Sequence, residues 1–154
     1  MVTPRPPRGV TLLELIAVLA ILAILAGLAM PSFTGFSANM RVRSVASDLH
    51  ASLSRARSEA IKRNAEVTLA PASLGRWQDG WRIPDPSGGT QVLDAHPAVP
   101  KATVSGPDRV TFLPNGRIKG TSLPSFDIFV TGASAHRCIR VDLGGRPNQS
   151  STSC

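Results

Sequence analysis

Residues 10–30, VTLLELIAVLAILAILAGLAM, form a run of 21 residues with a single charge, Glu14, and no proline. Wound as a helix at about 1.5 Å per residue, such a run crosses the roughly 30 Å of hydrocarbon in a bilayer. It is therefore predicted to be a transmembrane segment, and it limits the rest of the chain to one modest globular head. A cleaved secretory signal fits less well, because its apolar region runs to only about 7–15 residues. A lipoprotein signal would need a nearby cysteine, and both cysteines are at positions 138 and 154. Arg5 and Arg8 precede the run, and Arg41 and Arg43 lie more than ten residues beyond it. With two basic residues on each side, only the proximity of the first pair favours a cytoplasmic N-terminus. A carboxylate in hydrocarbon costs about 2.5–3.5 kcal/mol on insertion scales. Glu14 must therefore either reach the lipid surface or find a cationic partner.

Pro31 follows the run and is expected to kink a helix there. Beyond it, Val42, Val45, Ala46, Leu49, Leu53, Ala56 and Ala60 recur at three- and four-residue steps. That spacing predicts an amphipathic helix to about Asn64, with this face seated on a sheet. A free-standing coiled coil is the alternative, weakened by small alanines in the seam. After Asn64 the pattern changes to short β-prone runs at 66–70, 80–83, 91–93, 109–113, 126–130 and 138–143. Turn signals separate several of them, including Pro-Asn-Gly at 114–116 and Gly-Gly at 88–89 and 144–145. The predicted class is α+β: a long N-terminal helix, transmembrane and then amphipathic, packed on a small antiparallel sheet. Trp77 and Trp81 read as core or interface residues ahead of a ligand platform, and Gly116 reads as a turn glycine.

Composition excludes more chemistry than it suggests. His50, His96 and His136 are isolated, and the two cysteines have no second pair with zinc-ligand spacing. No phosphate-cradling glycine loop and no nucleophile-elbow motif is present. Neither a catalytic residue nor a cofactor or metal is expected; an unrecognised membrane-anchored hydrolase is the remote alternative. Formal charge is +7, a balance that suits nucleic acid, acidic headgroups or an acidic partner without choosing among them. Arg41, Arg43, Arg55, Arg57, Lys62 and Arg63 form a basic helical region that subunit packing or headgroups would explain as well as DNA. Cys138 and Cys154 could close a short terminal loop in an oxidising compartment, or remain free thiols in a reducing one.

The residues PPRGVTLLE, a short basic arm ending in Gly9 and then an apolar helix with Glu14 fifth after it, resemble the leader of type IV pilins and type II secretion pseudopilins. The resemblance implies a leader over 1–9, a transmembrane segment over 10–31, an amphipathic helix over 32–64 and a periplasmic β-rich head over 65–154. It also implies cleavage after Gly9 by a prepilin peptidase and N-methylation of Val10, which stands where the family more often has phenylalanine. The ammonium of Val10 in one subunit would then pair with Glu14 of its neighbour. Expected partners are other major and minor subunits, an inner-membrane assembly platform and its ATPase. The subunit would begin as a single-pass inner-membrane protein and pass into a pseudopilus or pilus.

Further strings, RARSEAIKRN at 55–64, WQDGW at 77–81, VTFLPNGRIKG at 110–120 and CIRVDLGGR at 138–146, look like the H-type minor pseudopilins and FimT-like minor pilins. That branch offers two placements: protein secretion across the outer membrane, or a type IV pilus. It also offers DNA uptake, through a Gly-Arg-x-Arg motif. Gly145 and Arg146 match the start of that motif, and Asn148 stands where its second arginine would be. Arg137, Arg140, Arg117 and Lys119 could complete a basic patch if their loops converge. A bridge between Cys138 and Cys154 is predicted.

Overall fold

The computed structural model describes residues 9–154, apart from the side chains of residues 28–32. The leader predicted over 1–9 lies almost wholly outside the described residues, and the kink expected at Pro31 falls among 28–32 and is likewise outside them. Among the described residues, one helix, α1 (Leu12–Arg63), is followed by eight strands: β1 (Val67–Ser73), β2 (Arg76–Pro84), β3 (Val92–His96), β4 (Ala102–Ser105), β5 (Val110–Phe112), β6 (Ser125–Val130), β7 (Arg137–Val141) and β8 (Pro147–Ser150). The chain divides into two compact units, Met1–Thr34 and Gly35–Cys154.

In the first unit, the large apolar side chains from Leu12 to Leu25 are all more than half exposed. This surface has no protein partner within its own unit. Among the described residues no helix is long and apolar enough to cross a membrane. The run in the sequence continues to Met30, whereas the described side chains stop at Gly27.

The second unit holds the entire hydrophobic core. Val42, Val45, Ala46, Leu49, Leu53, Ala56 and Ala60 are at most 3% exposed, so the seam read from the sequence is the face that packs on the strands. The helix stops where Asn64 takes a left-handed φ of 49°. Its amide donates to Ile61 O at 3.3 Å and the Ala65 amide donates to Ala60 O at 3.2 Å. This paired arrangement satisfies carbonyls that a helix end would otherwise leave free.

The strands form two four-stranded antiparallel sheets, ordered β3-β2-β1-β5 and β4-β6-β7-β8. The sequence pattern predicted one small sheet of six strands; β4 and β8 are the two additions. β8, PNQS, has a side-chain pattern of one half-buried and three exposed residues, so it carries no apolar alternation to find. It is held by its register against β7, Val141 opposite Pro147 through Cys138 opposite Ser150.

Two tryptophans join the layers. Trp81 is 1% exposed and donates its indole Nε1–H to Ser52 Oγ on the helix at 2.9 Å. Trp77 is fully buried, donates to Pro107 O at 2.7 Å, and meets Phe126 of β6 edge to face at 4.8 Å. The first ties helix to sheet and the second ties sheet to sheet, which settles both as core residues.

Candidate functional site

Gly9 and Val10 precede the helix, and Val10 is 77% exposed. Thr11 caps the first turn: its hydroxyl accepts the Glu14 amide at 3.3 Å. In return, Glu14 Oε2 accepts the Thr11 amide and the Thr11 hydroxyl, each at 3.1 Å. This reciprocal capping box satisfies two helix-start donors and places a carboxylate at the positive end of the helix dipole. Glu14 Oε2 is thus engaged locally by Thr11, the residue next to Val10. Thr11 was not among the residues singled out from the sequence, although the Thr-x-x-Glu spacing before an apolar run is a recognisable signal.

The basic residues do not behave as one group. β5 ends in a tight turn in which the Leu113 amide donates to Arg117 O and the Gly116 amide to Leu113 O, both at 2.8 Å. The β7–β8 turn is built on Asp142, whose Oδ1 accepts the Arg146 amide at 2.8 Å. These two turns touch. The Ile118 amide reaches Leu143 O at 3.4 Å, and a Cβ on Gly145 would collide with the Gly116 carbonyl oxygen. Both glycines have left-handed φ values, 76° at Gly116 and 77° at Gly145, so neither position admits an ordinary side chain. Arg57, from the helix, lies over the contact and donates Nε–H to Gly116 O at 3.1 Å. Arg117 and Arg146, each one residue beyond its glycine, are exposed.

The other three predicted residues are elsewhere engaged or elsewhere placed. Lys119 Nζ pairs with Glu66 Oε2 at 2.7 Å. Arg140 donates to Cys154 O at 3.0 Å and sits opposite Asn148, whose amide turns back to Arg146 O at 3.4 Å. Arg137, at the other end of β7, lines a pocket of about 220 Å³ with Phe36, Asn39, Met40 and Arg43.

Cys138 and Cys154 form a disulfide with Cα atoms 5.1 Å apart. Asp127 secures the closed loop: Oδ1 accepts the Cys154 amide at 3.1 Å while Oδ2 lies 2.7 Å from His136 Nδ1.

Ser52, Asp94 and His96 lie around Trp81 without forming a linked triad. Ser52 receives the Trp81 indole and lies 3.5 Å from Asp94 Oδ2, while His96 stacks on Trp81 at 4.1 Å and contacts Asp48 at 3.4 Å. Among the described residues no serine hydroxyl bonds a histidine, so no nucleophile meets a base. No group of three or more His, Cys, Asp or Glu among the described residues could hold a metal.

Two family profiles match. Type II transport protein GspH covers residues 45–145, more than half of the chain, and the prokaryotic N-terminal methylation motif covers residues 5–30. No curated protein matches. Two crystal structures of the Pseudomonas aeruginosa (strain PAO1) type IV minor pilin FimU share the fold. The one in space group P65 is 24% identical with a TM-score of 0.62, over 70% of this chain and 91% of that one. The one in space group P21 is 23% identical with a TM-score of 0.65, over 75% and 92%. A methylation motif leading into an apolar helix, a GspH head and a pilin fold agree with one another: the chain belongs to the GspH family, within the superfamily of type IV pilins and type II secretion pseudopilins.

Proposed function

We propose that the chain is a minor subunit of a type II secretion pseudopilus or of a type IV pilus, made as a single-pass inner-membrane precursor with a cytoplasmic N-terminus and a periplasmic head. A prepilin peptidase cuts after Gly9 and methylates Val10. The subunit then leaves the bilayer through an assembly platform driven by a cytoplasmic ATPase and joins other pilins in the filament. The observation that carries this reading is the single carboxylate, Glu14, in the otherwise uncharged run over residues 10–30, whose large apolar side chains from Leu12 to Leu25 stay more than half exposed. Such a helix is suited first to lipid and then to the apolar core of a helical polymer. There the Val10 ammonium of one subunit neutralises Glu14 of the next. N-terminal sequencing of protein from membranes and from sheared filaments should begin at Val10, and Glu14→Ala should abolish incorporation. Mature protein beginning at Met1, or a Glu14→Ala subunit recovered in filaments at the normal level, would overturn the proposal.

A second reading, DNA capture by the head, is favoured by one observation: the turns carrying Arg117 and Arg146 meet. Phosphate contacts of this kind give sequence-independent affinity that falls steeply with salt. Affinity insensitive to salt, or unchanged in Arg146→Ala, would count against it.

A further inference from the structure

We propose that Arg57 makes the junction of the two glycine turns into an oxyanion site for phosphate, either a free phosphate or a phosphodiester. Arg57 serves there both as a ligand and as the positioning residue for Arg117 and Arg146. The phosphodiester arm rests on the DNA-capture reading; the free-phosphate arm does not.

A guanidinium carries five N–H donors in a rigid planar fork. Arg57 is half-buried, and Nε spends one donor on Gly116 O at 3.1 Å. Among the described residues its two terminal nitrogens make no hydrogen bond and no carboxylate pairs with it. A partly desolvated cation with four unspent donors gains strongly from an anion that can take two of them at once, and tetrahedral oxyanions fit that fork.

The surroundings carry the same sign. The guanidinium Nε lies 3.2 Å from the position of a Cβ on Gly116 and 3.3 Å from that of a Cβ on Gly145. It therefore covers both turns where neither has a side chain to screen it. Arg117 and Arg146 leave the chain at the next residue on each turn, and neither side chain has a partner among the described residues. Asp142 is the acid built into this region, and its Oδ1 is taken by the Arg146 amide. Three arginines from three elements thus stand at, or one residue from, a single backbone contact, and none has a counter-ion among the described residues. Because Nε holds the Gly116 turn, which in turn abuts Gly145, removing Arg57 withdraws one ligand and loosens the seats of the other two.

The test uses the full chain in detergent, titrated with inorganic phosphate while the backbone amide resonances are followed. A short DNA duplex is then titrated at several salt concentrations. Arg57→Lys, which keeps the charge but loses the fork and the Nε bond, is compared with Arg57→Ala, Arg146→Ala and, as a remote basic control, Arg82→Ala. Wild type should show saturable shifts at Gly116 and Gly145. Both Arg57 variants should weaken phosphate roughly tenfold or more, the equivalent of about 1.4 kcal/mol, and Arg82→Ala should not. On DNA, Arg146→Ala should reduce the salt slope by about one phosphate contact, roughly 0.9, and Arg57→Lys by more than that. Absence of phosphate shifts at these glycines in wild type, or Arg57→Lys indistinguishable from wild type, overturns the proposal. Phosphate binding that depends on Arg57 without any DNA binding upholds the site and removes the DNA reading. DNA binding untouched by Arg57→Lys does the reverse.

Discussion

Ser52 is the buried polar side chain of the described core, and removing it tests how the helix is fastened to the first sheet. In wild type its hydroxyl accepts the Trp81 indole at 2.9 Å, and the indole is 1% exposed. Ser52→Ala leaves that N–H buried without an acceptor, which costs about 1–3 kcal/mol. Trp81→Phe removes the donor instead: about 1 kcal/mol for the bond and a further ~1–2 kcal/mol for lost apolar volume. Once the indole is gone, Ser52→Ala orphans nothing, because only the long contact to Asp94 at 3.5 Å remains. The double variant should therefore be more stable than the sum of the singles predicts, by about 1–2 kcal/mol. Urea unfolding of the four proteins with the disulfide oxidised, followed by circular dichroism at constant m-value, measures this coupling. The unit Gly35–Cys154 holds the whole core and is a suitable fragment. Additivity within about 0.5 kcal/mol would refute the reasoning, since it would mean that the indole finds another acceptor.

Two further outcomes follow from other parts of the head. Cys138→Ser opens a loop of sequence separation 16, and the chain-entropy relation puts the loss near 3 kcal/mol; a urea midpoint that does not move with this change or with reductant would contradict it. The Ser87 hydroxyl and amide, and then Arg63, hold the Asp85 carboxyl below the ordinary carboxylate range. That contribution is complete above the unfolded carboxylate value and is lost as pH falls through the lower folded value. Asp85→Asn should therefore flatten the acid limb of the stability profile below about pH 4, and an unchanged limb in midpoint-against-pH measurements would refute this.

The helix was the most legible part, because seven positions repeat at helical spacing and the burial of those seven follows from geometry alone. Six strands were legible from β-prone runs between turn residues. β4 has only four residues, and β8 lacks apolar alternation, so both depend on partners far away in the chain. The split into two sheets was not legible either, since strand order is set by pairings that local pattern does not encode. In the basic region, sequence placed Arg117 and Arg146 together as candidates but assigned Arg57 to the helix surface. Only the contact of the two glycine turns brings the three together. Lys119 shows the converse limit, because its pairing with Glu66 spans 53 residues.

The strand order has a consequence for how the head acquires its structure. The path goes from β3 in the first sheet to β4 in the second, back to β5 in the first and on to β6 in the second. Neither sheet can be finished before the other has begun: Thr68 waits for Thr111, by which point β4 has already been laid down for a sheet whose other members have not yet emerged. Closing such distant pairings is slow, and unpaired edges stay open meanwhile. A head that emerges from a translocation channel in chain order, β1 before β8, would thus remain an incomplete weave until the final strands arrive.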